Sequence, residues 1–212
     1  MKNQLIDLSV REFLDRVAGN DPVPGGGSVS AFYGALSAAL SSMVAGLTVG
    51  KKKYLEVNDY MEEALIRMKT FQAEFLTLID KDSEAYNKVF NCFKMPKETD
   101  KEKALRSQAI QEGTLYAAEV PLEIAQKAVE LMDFIEEIVA KGNQNAVTDA
   151  CIAMMSARNA ALGAALNVRI NLGGLKDKAK AEALEAEVAA LEKEALSREE
   201  KVRHQVSQNL QL

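Results

Sequence analysis

Between Pro22 and Gly50 the chain carries no charged residue, and this stretch constrains the fold more than any other. It opens as Pro22-Val23-Pro24-Gly25-Gly26-Gly27, where two prolines fix the backbone and three glycines free it, so a loop is expected. A helix follows over residues 28–48. Val29, Tyr33, Leu36, Leu40, Met43 and Leu47 recur at three- and four-residue spacing as a stripe of large apolar side chains. Ala31, Ala35, Ala38, Ser42 and Ala45 form a second stripe of small ones. A helix that is apolar or small all round belongs at the centre of a bundle, since small stripes let neighbours approach closely. Its length and the basic flank Lys51-Lys52-Lys53 would also suit a membrane span. The glycines, prolines and Ser37, Ser41 and Ser42 leave it too polar for that, so a buried hub and no membrane contact are expected.

The remaining segments read as helices as well. Ser9 followed by Glu12 makes a capping box for a short first helix that ends at Gly19-Asn20. A third helix is expected over residues 56–93, with Met61, Leu65, Met68, Phe75, Ile79, Tyr86, Val89 and Phe93 on its seam. Thr99 and Glu102 cap a fourth helix, which Pro121 should kink or divide, and a fifth runs from 122 to 141 and stops at Gly142. Asn143-Gln144-Asn145 connects to a sixth helix over 146–171, Gly173-Gly174 ends it, and a charged last helix spans 176–210. No segment alternates with period two. The expected fold is all-α: one domain over residues 1–212, a bundle of about six to eight helices around the small-residue helix. At 48% hydrophobic and 27% charged, 212 residues suffice for one such core.

Several chemistries are excluded. The net charge of −5, with no arginine-rich face, argues against nucleic acid as a partner. The acidic, amphipathic start MKNQLIDLSVREFL is unlike a secretory signal, so a cytoplasmic location is expected. His204, the one histidine, lies among Glu199, Glu200, Lys201 and Arg203 on what reads as a solvated surface. Without a second histidine there is no Ser-His-Asp or Cys-His pair and no histidine-based metal site. Cys92 and Cys151 lack ligand spacing and read as small core residues. Gly25-Gly26-Gly27 follows no strand and lacks the Gly-Lys-Ser/Thr ending of a phosphate loop.

Proton transfer therefore falls to carboxylates, lysines or tyrosines, and helical spacing selects one of them. Phe75, Ile79, Asp82, Tyr86 and Val89 follow one another at four, three, four and three residues, so Asp82 sits on the apolar seam. Asp80 points roughly 160° away, at ~100° per residue. A carboxylate on a buried face has a raised pKa unless cations or donors hold it ionised, which suits it to acid/base work near neutrality. A buried aspartate that caps a helix or pairs with a lysine would show the same spacing. Asp149, Ala153, Ser156, Ala160, Gly163, Asn167 and Asn171 share a face of the sixth helix, which would pack on the small stripe and present Asp149 and Asn167 to one cleft. The glycine loop offers free N–H groups to an anion at a helix start, with the lysine triplet as further positive charge.

In order along the chain stand Pro24-Gly25-Gly26-Gly27-Ser28, Gly50-Lys51-Lys52-Lys53-Tyr54, Asp80-Lys81-Asp82-Ser83-Glu84-Ala85-Tyr86 and Pro96-Lys97. Gln111-Glu112-Gly113, Val120-Pro121-Leu122, Gly142-Asn143 with Asp149 beyond, and Asn167-Val168-Arg169-Ile170-Asn171-Leu172 follow. This series, over roughly residues 5–205, resembles the cyclodeaminase domain of formiminotransferase-cyclodeaminase and its stand-alone relatives, including methenyltetrahydrofolate cyclohydrolases. The resemblance implies a helical fold, usually dimeric, that acts on tetrahydrofolate derivatives with no bound metal or cofactor. The family's catalytic aspartate matches Asp82. The implied reaction converts 5-formiminotetrahydrofolate to 5,10-methenyltetrahydrofolate and ammonia; the alternatives are methenyltetrahydrofolate cyclohydrolase or a helical scaffold or partner-binding protein without activity. Expected substrate contacts are Asn143, Asp149 and Asn167 to the pterin or one-carbon unit, Gly25, Gly26 and Gly27 with Lys52 or Lys53 to the glutamate tail, and Ser28 as a further substrate-binding residue. The long seam of the last helix also points to a homodimer.

Overall fold

The computed structural model describes residues 4–210, which hold six α-helices and no strand. They are α1 (Val10–Val17), α2 (Gly26–Gly46), α3 (Asn58–Phe93), α4 (Asp100–Lys141), α5 (Val147–Leu172) and α6 (Lys178–Asn209). Helices α2, α3, α4 and α5 pack around one core, and α6 lies outside against α5 and α4. Both expected capping boxes form: Ser9 and Glu12 start α1, and Thr99 and Glu102 start α4.

Helix α2 is the hub, but its two stripes face opposite to a simple hydrophobic expectation. Ala31, Ala35, Ala38 and Ala45 are buried against α3 and α5 together with Ser28, Ser30, Ser37 and Ser41. The serine hydroxyls are satisfied within the core: Ser37 Oγ donates to Ala153 O of α5 at 2.7 Å and Ser41 Oγ to Ser37 O at 2.8 Å. Gly34 faces Phe75 so closely that a Cβ there would lie 2.4 Å from the ring. The large residues Tyr33, Leu36, Met43 and Leu47 are exposed. Close helix approach therefore decides the core, and the bulky stripe is left outside. This helix is long and apolar enough to cross a membrane, yet its small face is packed within the bundle.

Three further expectations change. Gly26 and Gly27 are helical, with Gly25 as N-cap, so the loop ends two residues sooner. Pro121 does not divide α4, which runs unbroken over 42 residues. A proline at this place removes the bond to Ala117 O, four residues earlier, and that carbonyl instead accepts from Asn171 Nδ2 of α5 at 3.0 Å. The seam of α6 is covered within the chain: Leu184 and Val188 bury against Ala118, Leu122, Ala165 and Val168, and Val202 and Val206 join the main core. Cys92 and Cys151 are free thiols, only partly buried, and His204 is exposed.

Candidate active site

Where α3 leaves the core, its seam opens into a cleft. Phe75 and Ile79 are buried, Asp82 is half-buried, and Tyr86 one turn later is exposed. The first turn of α2 sits directly on Asp82: a Cβ on Gly27 would lie 2.0 Å from Asp82 Oδ1, and one on Gly26 would lie 2.9 Å from Asn167 Nδ2. The φ angles of both are ordinary for a helix, so these glycines serve close approach and not an unusual backbone. The cleft holds about 330 Å³ and is lined by Val23, Asp82, Tyr86, Asn167, Ile170 and Asn171 beside the three glycines.

Asp82 Oδ2 lies 3.0 Å from Ser28 Oγ, which also lies 2.9 Å from Ile79 O and 3.0 Å from Ser83 Oγ. Burial raises the Asp82 carboxyl above the usual aspartate range, and hydrogen bonds from the Ser28 hydroxyl and backbone N–H pull it partly back. A hydroxyl has one proton to give. Ser28 can give it to an ionised Asp82, or turn it to Ile79 O and accept the proton of a neutral Asp82. Both protonation states are thus accommodated without moving a helix. Neighbouring charges do not fix either state. Lys81 is engaged by Glu123 of α4 at 2.6 Å, and Asp80 on the other side accepts from the Leu5 backbone N–H at 2.7 Å.

The expected site residues fall into two groups. Gly25, Gly26, Gly27, Ser28, Asp82 and Asn167 converge on the cleft. Lys52, Lys53, Asn143 and Asp149 gather at the other end of α2, which at ~1.5 Å per residue is about 30 Å away. Asp149 and Asn167, 18 residues apart on one straight helix, cannot meet in one cleft of the same chain. Asn143 is occupied in closing the helix ends: its N–H donates to Thr48 Oγ1, its Nδ2 to Leu47 O, and its Oδ1 accepts from Asn145 N–H. Sequence reasoning missed Asn171, Ile170 and the part played by Pro121. Asn171 was on the polar line of its helix, four residues past Asn167, and that spacing was the available signal.

Comparison with known proteins bears on the family and the fold. The family model for formiminotransferase-cyclodeaminase matches residues 9–190. A methenyltetrahydrofolate cyclohydrolase of Methylorubrum extorquens is 40% identical over 92% of this chain and 93% of its own length. A formimidoyltransferase-cyclodeaminase of Rattus norvegicus is 32% identical over 92% of this chain, which spans only 36% of that longer protein. The crystal structure of a formiminotetrahydrofolate cyclodeaminase from Thermotoga maritima superposes with a TM-score of 0.86 at 28% identity, covering 96% of this chain and 98% of that one.

Proposed function

The chain belongs to the formiminotransferase-cyclodeaminase family, as an enzyme of folate one-carbon chemistry, and on that premise we propose that Asp82 carries the proton transfers at the one-carbon centre. The observation that carries this reading is the Asp82–Gly27–Ser28 contact: a carboxyl with raised pKa, held at an open helix start by a hydroxyl that serves either protonation state.

Both family reactions fit that device. With methenyltetrahydrofolate, the Asp82 carboxylate takes a proton from water as the oxygen bonds to the methenyl carbon. The adduct then breaks its bond to N5, which receives the proton from Asp82, and the adduct hydroxyl loses its own proton to solvent; 10-formyltetrahydrofolate results. With 5-formiminotetrahydrofolate, N10 attacks the formimino carbon and gives its proton to Asp82. The departing nitrogen takes up one proton from solvent and this one from Asp82, and it leaves as ammonia. A positioned carboxyl contributes about 10²–10⁴ in rate to such steps. The 40% relative, similar over nearly the full length of both chains, favours the methenyl substrate as the first to test; the superposition on a cyclodeaminase supports the formimino substrate as the second. The test is incubation with each folate separately, read by methenyl absorbance. Loss of the signal with methenyltetrahydrofolate or its growth with the formimino compound decides between them, and no change with either refutes the function.

We propose further that the enzyme is a homodimer. The seam of α6 does not supply the interface, but the outward stripe of α2 does. Sedimentation at micromolar concentration is expected to give about twice 23.1 kDa, and a monomer would refute it.

A further inference from the structure

The Asp82 cleft is short of positive charge for the substrate class proposed above. A folate ends in a glutamate tail with at least two carboxylates. Among the described residues, none of those lining the cleft is a lysine or an arginine, and its volume of about 330 Å³ is at the low end for a ligand site. At the far end of α2, Lys52 and Lys53 are exposed, and among the described residues neither makes a hydrogen bond or an ion pair; Lys53 Nζ only overlies the Tyr54 ring at 5.4 Å.

One continuous apolar face joins the two ends. Helices α2 and α5 run antiparallel and meet closely where Ser30 faces Gly163 and Ser37 binds Ala153 O. One turn outward from that seam lie Tyr33, Leu36 and Met43 on α2, and Met155, Leu166 and Ile170 on α5. All are exposed, Leu166 by 64% and Ile170 by 80%. With Leu47 and Ile152 they offer on the order of 800 Å² per chain, the size of one side of a standard interface and above what a monomer usually leaves bare. Ile170 also lines the Asp82 cleft, so whatever covers this face walls the cleft as well.

We propose that a second copy of this chain covers the α2/α5 face with the two α2 helices antiparallel, and that each Asp82 cleft is completed by Lys52 and Lys53 of the partner, which bind the carboxylates of the folate tail. The α2 side of this face is free of charge, as a face that must meet itself requires. A two-fold axis across the middle of α2, near Leu36 and Leu40, sets the start of each helix beside the end of its counterpart. The ~30 Å that separates the two residue groups within one chain is thereby cancelled between chains, and the opposed helix dipoles run favourably. The lysine triplet then has a task at the site.

The proposal rests on the folate and dimer readings, and subunit mixing separates it from both. Asp82→Asn alone is expected to lose at least 100-fold in kcat, and a Lys52→Ala/Lys53→Ala double variant to raise KM at least tenfold for the tailed substrate, with KM for a tail-less pterin analogue unchanged. Each should sediment as a dimer. Subunits exchanged between the two form heterodimers with one intact cleft; in a statistical mixture, assayed well below the raised KM, about a quarter of wild-type activity is expected to return. Leu36→Asp is expected to give an inactive monomer with normal helix content. Heterodimers of verified composition with no more activity than the two parents would overturn the shared site. A wild-type KM in the lysine double variant would overturn it too. A monomeric wild type would defeat the dimer, and absence of turnover by wild type would defeat the folate reading itself.

Discussion

Gly27→Ala is the sharpest probe of how Asp82 is held. The new methyl carbon would stand 2.0 Å from Asp82 Oδ1, 2.5 Å from its Cγ and 2.7 Å from Oδ2. Ordinary contact begins near 3.4 Å, so the carboxylate must withdraw by more than 1 Å. That displacement exceeds what its 3.0 Å contact with Ser28 Oγ can absorb, and this hydrogen bond opens. Misplacing a reacting group by about 1 Å costs on the order of 10²-fold. Helix stability moves little: replacing glycine by alanine in a helix gains about 0.5–1 kcal/mol, and side-chain crowding of roughly 1–3 kcal/mol opposes it. The expected variant therefore keeps wild-type helix content and melts within several degrees of wild type, while kcat falls about 100-fold or more. Methenyl absorbance gives the rate, and circular dichroism gives content and melting. Gly46→Ala, at the other end of the same helix, is the internal control, because its methyl meets only Leu65 Cδ2 at an ordinary 3.7 Å. If Gly27→Ala turned over like wild type, the carboxylate would be free to swing and its fixed position would have no part in catalysis.

Asp82→Asn is expected to melt at the same or a higher temperature than wild type near pH 7. The folded pKa of Asp82 lies above its unfolded value, so wild-type stability declines as pH rises from the ordinary aspartate range through the raised value. The amide escapes that decline, and the two melting curves should merge below the ordinary aspartate range; a lower melting point at pH 7 would contradict the sign. Ser28→Ala removes a donor to the ionised carboxyl, so the acid limb of the rate–pH profile should move to higher pH, with about 3–10-fold lost in kcat; an unmoved limb would exclude the part given to Ser28 in holding Asp82. Gly34→Ala drives a methyl into the Phe75 ring and should lower Tm by several degrees, whereas an unchanged Tm would show that the α2–α3 contact gives way easily.

Much of this was legible in the residues because helical period and capping are local. The boxes at Ser9 and Thr99 follow from four consecutive residues each, and the placement of Asp82 from one period. What was not legible depends on which face of a helix wins a contest. Two stripes compete on α2, and hydrophobicity alone favours burying Tyr33 and Leu36. The serines and alanines win because they let α3 and α5 approach, and Gly34 and Gly163 exist only to make that approach possible. Residues distant in space but adjacent in motif order, such as Lys52 and Asn143, were assigned to the same cleft as Asp82 because order along a sequence carries no distance. Pro121 was read as a break because its partner, Asn171, lies 50 residues later.

That proline has a further consequence. Long helices faced with alanine have little to hold them against sliding: shifting α5 along α4 by one turn, about 5.4 Å, exchanges Ala157, Ala160, Ala161 and Ala164 for one another at small loss of buried surface. The bare carbonyl at Ala117 is unique along its stretch of α4, since every neighbour is already taken by the helix ladder, and only one level of α5 brings Asn171 to it. Slippage would strand the Ala117 carbonyl, at roughly 1–3 kcal/mol, while the Asn171 amide kept its 2.8 Å bond to Asn167 O within α5. Pro121 and Asn171 thus act as key and keyway, fixing the register of two otherwise smooth rods.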